Sequence, residues 1–178
     1  MTKLSSNKLS YLRNTSKFII VFSVILGLTF FSTMFSTPAQ SRGEIRGQGN
    51  RCIDVAGGEV KDTNNNPSPL ILFPCTGGKN QKWSFLSNGT IRGQGNRCID
   101  VAGGEVEDSN GNHSPLILFP CTGGNNQKWR FSSDGTIRGL GDRCIDVAGG
   151  EVEDSNGNSS PLILFPCTGG NNQKWRRN

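Results

Sequence analysis

Most of this chain is one unit written three times, and a repeat limits the possible folds before any local structure is read. Ile45-Arg46-Gly47, Ile91-Arg92-Gly93 and Ile137-Arg138-Gly139 open the three copies, 46 residues apart. Over the 39 positions from Ile91 to Trp129, the second copy differs from the third only at Gln94/Leu140, Asn96/Asp142 and His113/Ser159. The first differs from the second at five: Lys61/Glu107, Thr63/Ser109, Asn65/Gly111, Pro67/His113 and Lys79/Asn125. Agreement this close points to recent duplication, so identity between copies says little about selection at any one position.

Each unit reads as four short strands. In the second copy Ile91-Arg92 precedes a glycine-rich turn. Cys98-Ile99-Asp100-Val101-Ala102 alternates, which puts Ile99 and Val101 on the core face and Asp100 on the other. Leu116-Ile117-Leu118-Phe119 turns its leucines inward and Ile117 and Phe119 outward. Gln127-Lys128-Trp129-Arg130-Phe131 buries Trp129 and Phe131, and the turn Ser133-Asp134-Gly135-Thr136 leads to the next copy. One such unit cannot bury both of its faces alone. Three units of four strands make an all-β fold, a β-trefoil with pseudo-threefold symmetry and repeats 45–90, 91–136 and 137–178. A propeller shares the period but needs at least four blades. The last strand, Trp175-Arg176-Arg177-Asn178, has no counterpart of Phe85 or Phe131, so closure there is expected to be frayed.

A length of 178 residues leaves room for one domain and a targeting segment. The 24 glycines and 33% hydrophobic content suit short strands and many loops. Most of the formal charge of +5 belongs to the N-terminus: Lys3, Lys8, Arg13 and Lys17 lie in residues 1–41 with no acid, and beyond them 15 basic residues face 14 acidic ones. A chain so nearly neutral has little to offer a phosphate backbone, and nucleic acid is excluded as a partner. The run Phe18–Phe35 and the small residues Ala39 and Ser41 give residues 1–41 the plan of a secretory signal peptide, cut after Ser41 or Ala39. The alternative is an uncleaved anchor, but 18 residues are at the lower edge of spanning length. Ser23, Gly27, Thr29, Ser32 and Thr33 dilute the run further. The expected mature protein, residues 42–178, is secreted and not inserted in a membrane.

The six cysteines fall two per repeat and allow fifteen connectivities on sequence alone. A scheme that respects the repeats pairs equivalent partners. Pairing within each copy gives Cys52–Cys75, Cys98–Cys121 and Cys144–Cys167, each tying the second strand to the third. Zinc is a poor alternative: CxxC spacing is missing, and the single histidine, His113, occurs in one copy of three.

Each copy carries RCIDVAGG, LILFPC and NQKW. This combination resembles the ricin B-type lectin domain, and is similar to the xylanase-associated carbohydrate-binding modules of the same fold, over residues 45–178. The resemblance implies a glycan-binding module with one site per repeat and no cofactor. Each site takes an Asp just after the first cysteine, an aromatic two residues before the second, and an Asn beside the Gln-x-Trp glutamine. These map onto Asp54, Phe73, Asn80 and Gln81 in the first repeat. They map onto Asp100, Phe119, Asn126 and Gln127 in the second, and onto Asp146, Phe165, Asn172 and Gln173 in the third. A carboxylate accepts hydrogen bonds from neighbouring hydroxyls, an amide donates to them, and a ring covers the apolar face of a sugar. The glutamines are expected to hold backbone groups, and Trp83, Trp129 and Trp175 to fill the core. Ile71, Ile117 and Ile163 stand where such sites often have Gln, so a polar contact is missing in every copy. Galactose-type and xylan-type glycans are the partners the resemblance implies.

The competing readings are weaker. An enzyme lacks a visible nucleophile–base pair, and each site carries one carboxylate where glycoside hydrolysis uses two. A protein-binding trefoil, of protease-inhibitor or adhesion type, would use exposed loops that have little reason to be triplicated. Asp62-x-Asn64-x-Asn66 and its repeats from Asp108 and Asp154 resemble a calcium loop but lack a closing Glu. They are read as solvated turns.

Overall fold

The computed structural model describes residues 42–58, 67–107, 113–150 and 159–178. The expected signal peptide and the three Asp/Asn-rich turns lie outside the described residues. The first repeat holds β1 (Ile45–Arg46), β2 (Cys52–Val55), β3 (Ser68–Phe73) and β4 (Ser84–Phe85). The second holds β5 (Ile91–Arg92), β6 (Cys98–Val101), β7 (Leu116–Phe119) and β8 (Arg130–Phe131). The third holds β9 (Ile137–Arg138), β10 (Cys144–Val147), β11 (Ser160–Phe165) and β12 (Arg176–Arg177). All pairs are antiparallel. Within a repeat the second and third strands form the longest ladder, with Ile99 opposite Leu118 and Asp100 opposite Ile117. Between repeats the third strands meet: Ser68 pairs with Leu118 and Ser160 with Leu72, while Pro115 bridges to Ile163. Among the described residues twelve strands thus close around one axis, the β-trefoil expected from the repeats.

The alternation dictates the core. Ile53, Val55, Leu70 and Leu72 point inward with their equivalents in the other repeats, and all are buried. Trp83, Trp129 and Trp175 join them, and each indole Nε1 donates to the carbonyl of Ile53, Ile99 or Ile145 at 2.9–3.0 Å. Each indole also reaches into the next repeat. A Cβ on Gly93 would lie 2.5 Å from the Trp83 ring, and Gly139 and Gly47 meet Trp129 and Trp175 in the same way. These glycines are required by close approach. Their φ angles, −123° at Gly47 and Gly93 and −135° at Gly139, are ones any residue adopts. All three intra-repeat disulfides are formed, each with Cα atoms 5.1 Å apart.

Three expectations need correction. The strand read over Gln127–Phe131 is only Arg130–Phe131, because Asn125–Gln127 winds into a 3₁₀ turn. Phe131 is half-buried where full burial was expected. The closure is also not frayed. β12 pairs with β1 through Ile45 opposite Arg177 and Arg46 opposite Arg176, and Asn178 N–H donates to the Glu44 carbonyl. Arg177 occupies the register position of Phe85 and Phe131. Its guanidinium lies 3.6 Å from the centre of the Phe85 ring and 4.9 Å from that of Phe131, so a cation–π contact replaces the third ring.

Candidate functional site

The second strand of each repeat is buried along its whole length. Asp54, Asp100 and Asp146 face away from the apolar core, as the alternation requires, but they do not face open water. The 3₁₀ turn of the Gln-x-Trp segment folds over them, and they are 3–4% exposed. The alternation thus gives the face on which each Asp lies, and the turn that covers it is an addition from the structure.

In the first repeat Asn80 Nδ2 donates to Asp54 Oδ1 at 2.8 Å, and Gln81 Nε2 to Oδ2 at 2.5 Å. The second repeat reproduces this with Asn126 and Gln127 on Asp100 at 2.9 and 2.5 Å. In the third, Asn172 and Gln173 converge on Asp146 Oδ2 at 2.9 and 2.6 Å. The glutamine is saturated from the other side. Gln81 Nε2 also donates to the Pro74 carbonyl, and Oε1 accepts from the backbone N–H of Thr76 and Gly77. Gln127 and Gln173 make the same contacts. All three glutamines are fully buried. They lie beneath the candidate site and fix the carboxylate and the 76–77 loop with its equivalents, with no donor left over for a ligand.

Above this layer the surface is open. A depression of about 390 Å³ in the first repeat is lined by Asp54, Phe73 and Asn80, with Ile71 on its wall. Gly57 and Gly58, at φ +82° and +75°, form its rim in a conformation that other residues rarely adopt. In the second repeat a depression of about 430 Å³ is lined by Asp100, Phe119, Asn126 and Ile117, and also by Pro67 of the first repeat. In these two repeats the residues mapped from sequence are therefore gathered in space, with the glutamines one layer down. Ile71 and Ile117 supply apolar wall where a Gln would have offered an amide. Phe73 is the one large apolar side chain exposed among the described residues, at 40%.

Burial raises the pKa of Asp54, Asp100 and Asp146 above the ordinary aspartate value, against the hydrogen bonds from the Gln and Asn amides, which lower it. Glu44 is shifted the other way, because Lys82 and Arg46 hydrogen-bond to its carboxylate. Among the described residues, Glu44, Cys52 and Cys75 are the one group of acidic, histidine or cysteine side chains close enough to share a metal ion. The two sulfurs are bonded to each other, so no thiolate is available there. No helix among the described residues is long and apolar enough to cross a membrane.

The profile of the ricin-type β-trefoil lectin domain matches residues 41–110 and again 104–178. Solved structures agree on the fold. A designed threefold-symmetric protein, ThreeFoil, superposes with a TM-score of 0.64 at 22% identity, over 76% of this chain and 96% of that one. An exo-β-1,3-galactanase from Clostridium thermocellum gives 0.64 at 24% identity, over 79% of this chain and 30% of the enzyme. A non-toxic homologue of type II RIPs from Momordica charantia (bitter gourd), solved in complex with α-methyl-D-galactoside, gives 0.60 at 23% identity, over 77% and 47%. The chain thus spans less than half of the latter two proteins.

Proposed function

Because this chain belongs to the ricin-type β-trefoil lectin family, whose domains bind carbohydrate, we propose that it is a secreted, non-catalytic lectin holding glycans at three sites, one per repeat. The observation that carries this reading is the same arrangement in each repeat: a carboxylate aimed by two amides, close in sequence register to a phenylalanine on the adjoining strand. The carboxylate accepts from adjacent sugar hydroxyls, Asn80, Asn126 and Asn172 donate to them, and Phe73, Phe119 and Phe165 cover the C–H face of the ring. The glutamines position the carboxylates. Secretion is supported by the signal-peptide plan of residues 1–41, and three disulfides suit an oxidising, extracellular compartment. Galactose-type sugars are the first candidates, in keeping with the galactoside in the bitter gourd complex, and xylan-type chains the second. A single site of this shallow kind binds with a dissociation constant on the order of millimolar.

The test is a heteronuclear NMR titration of the oxidised mature protein with methyl α-D-galactoside, N-acetylgalactosamine and xylotriose, beside retention on galactan and xylan. Saturable shifts at Asn80, Asn126 and Asn172 side-chain amides are the expected result. Binding that leaves all three amides unmoved would place the sugar elsewhere.

Binding is also expected to fail in acid before the fold does. A protonated carboxyl loses acceptor capacity, and the three aspartates protonate above the ordinary 3.8. A raised folded pKa means that the native state takes up the proton first. The stability these groups contribute is therefore fully present below the unfolded pKa and lost as pH rises through the folded one. By this sign, their protonation favours the native state over the unfolded one. Glu44 has the opposite sign: its contribution is present above the ordinary 4.5 and is lost as pH falls through its lowered folded value. Column retention and near-ultraviolet circular dichroism, followed from pH 7 downward, should lose retention at the higher pH. Simultaneous loss of both signals would contradict this.

A further inference from the structure

The three candidate sites carry identical side chains from their own repeats, but their rings are not equally exposed. Phe73 is 40% exposed, whereas Phe119 and Phe165 are half-buried. A different residue of the preceding repeat adjoins each ring. Pairing of Ser68 with Leu118 brings Pro67 alongside Phe119. Pairing of Ser160 with Leu72 brings Ser159 alongside Phe73, across the closure of the trefoil. The bridge of Pro115 to Ile163 and the bond from Leu164 N–H to the Ser114 carbonyl bring His113 alongside Phe165. Side-chain contacts agree. Pro67 lines the depression that holds Asp100, Phe119 and Asn126. The His113 and Phe165 rings lie edge to face, with centroids 4.2 Å apart.

Position 67/113/159 is also the one place in the 39-residue unit where all three copies differ. Otherwise the repeats are close to interchangeable, and this residue alone gives each site a different neighbour. Serine is the smallest of the three, and it stands beside the most exposed ring. Proline and histidine stand beside the covered ones.

We infer that each lectin site is a composite of two repeats, and that the residue at 67, 113 or 159 sets the affinity and ligand preference of the site in the next repeat. This rests on the carbohydrate-binding reading of those sites. The first site, faced by Ser159, offers its ring most openly and takes a neutral terminal hexose lying flat on Phe73. The second, walled by Pro67, favours a sugar that presents a methyl group, such as an N-acetyl sugar. The third has its ring partly covered by the imidazole and is the weakest for a neutral hexose.

The experiment isolates each site by changing the other two phenylalanines to alanine, then measures methyl α-D-galactoside binding by NMR titration. Ser159→His and His113→Ser are added to the matching single-site proteins. Both residues already occur at this position in sister repeats, so folding is retained, and tryptophan fluorescence checks it. The first site should bind tightest. Ser159→His should weaken it about threefold or more, and His113→Ser should strengthen the third by a similar factor. Three equal sites that the exchanges leave unchanged would overturn the inference and leave the lectin reading standing. No binding of any probe sugar by the unmodified protein would instead overturn the lectin reading, and the inference with it.

Discussion

Reduction of the three disulfides is expected to unfold this domain at room temperature. Each bridge closes a loop of 23 residues, which in the chain-entropy treatment is worth about 3 kcal/mol. Three such bridges supply on the order of 9 kcal/mol, comparable with the whole stability of an ordinary domain, about 5–15 kcal/mol. The strands cannot make up the loss. Six of the twelve are two residues long, and each repeat offers the core only a few aliphatic side chains and one indole. The bridges also join the strand that carries the aspartate to the end of the strand that carries the phenylalanine. Denaturant titrations with and without a phosphine reductant will decide the matter. The expected result is loss of the cooperative transition and of the near-ultraviolet tryptophan signal on reduction. A reduced protein whose midpoint barely moves would show that core packing alone suffices. Cys98→Ala with Cys121→Ala removes one bridge and should lower stability by about a third of the total effect.

The repeat period and the pairing of cysteines were legible because both are one-dimensional: they are spacings. The inward Ile/Val and Leu/Leu faces were legible because a strand has period two. What the sequence hid depends on contacts distant along the chain. Nothing local to Asp100 says that the turn at Asn125–Gln127 covers it, since alternation distinguishes the two faces of a strand and not what lies on each. The hold of the glutamines on backbone groups is legible in the Gln-x-Trp signature, but their adjacency to the asparagines also groups them with the site in sequence. Their burial follows from a 3₁₀ turn that points neighbouring side chains to different depths. In sequence Arg177 shows only the lack of a phenylalanine, because a charged residue does not announce a ring partner. Only the closed barrel brings its guanidinium over Phe85. The pairing of residues 67, 113 and 159 with the following repeat required knowing which third strands meet. Two signals were nevertheless available. One was that all three copies differ at that position, and the other was that a trefoil places consecutive repeats side by side.

Replacing Phe73, Phe119 and Phe165 together by alanine is expected to abolish retention on polysaccharide while leaving a folded protein. The aspartates are the more obvious targets, but they are unsuitable. Each holds a saturated glutamine that in turn holds a loop. Asn at that place would set an amide N–H₂ against the donor of Gln81, Gln127 or Gln173, at about 1–3 kcal/mol for a buried mismatch. Loss of binding in such a variant could come from the fold. The rings carry no such burden. They are exposed or half-buried, and removing one costs on the order of 1 kcal/mol of burial. Sites on one rigid body act together, so a dense glycan surface is held about 10²–10⁴ times more tightly than a single sugar. Removing one ring should lower polymer retention in part, and removing all three should remove that whole factor together with the single-site affinity beneath it. The measurement is retention on immobilised galactan and xylan for the single, double and triple variants, each checked by its thermal transition. A triple variant that keeps the tryptophan signal and still binds as the unmodified protein does would show that these rings are not where sugar is held.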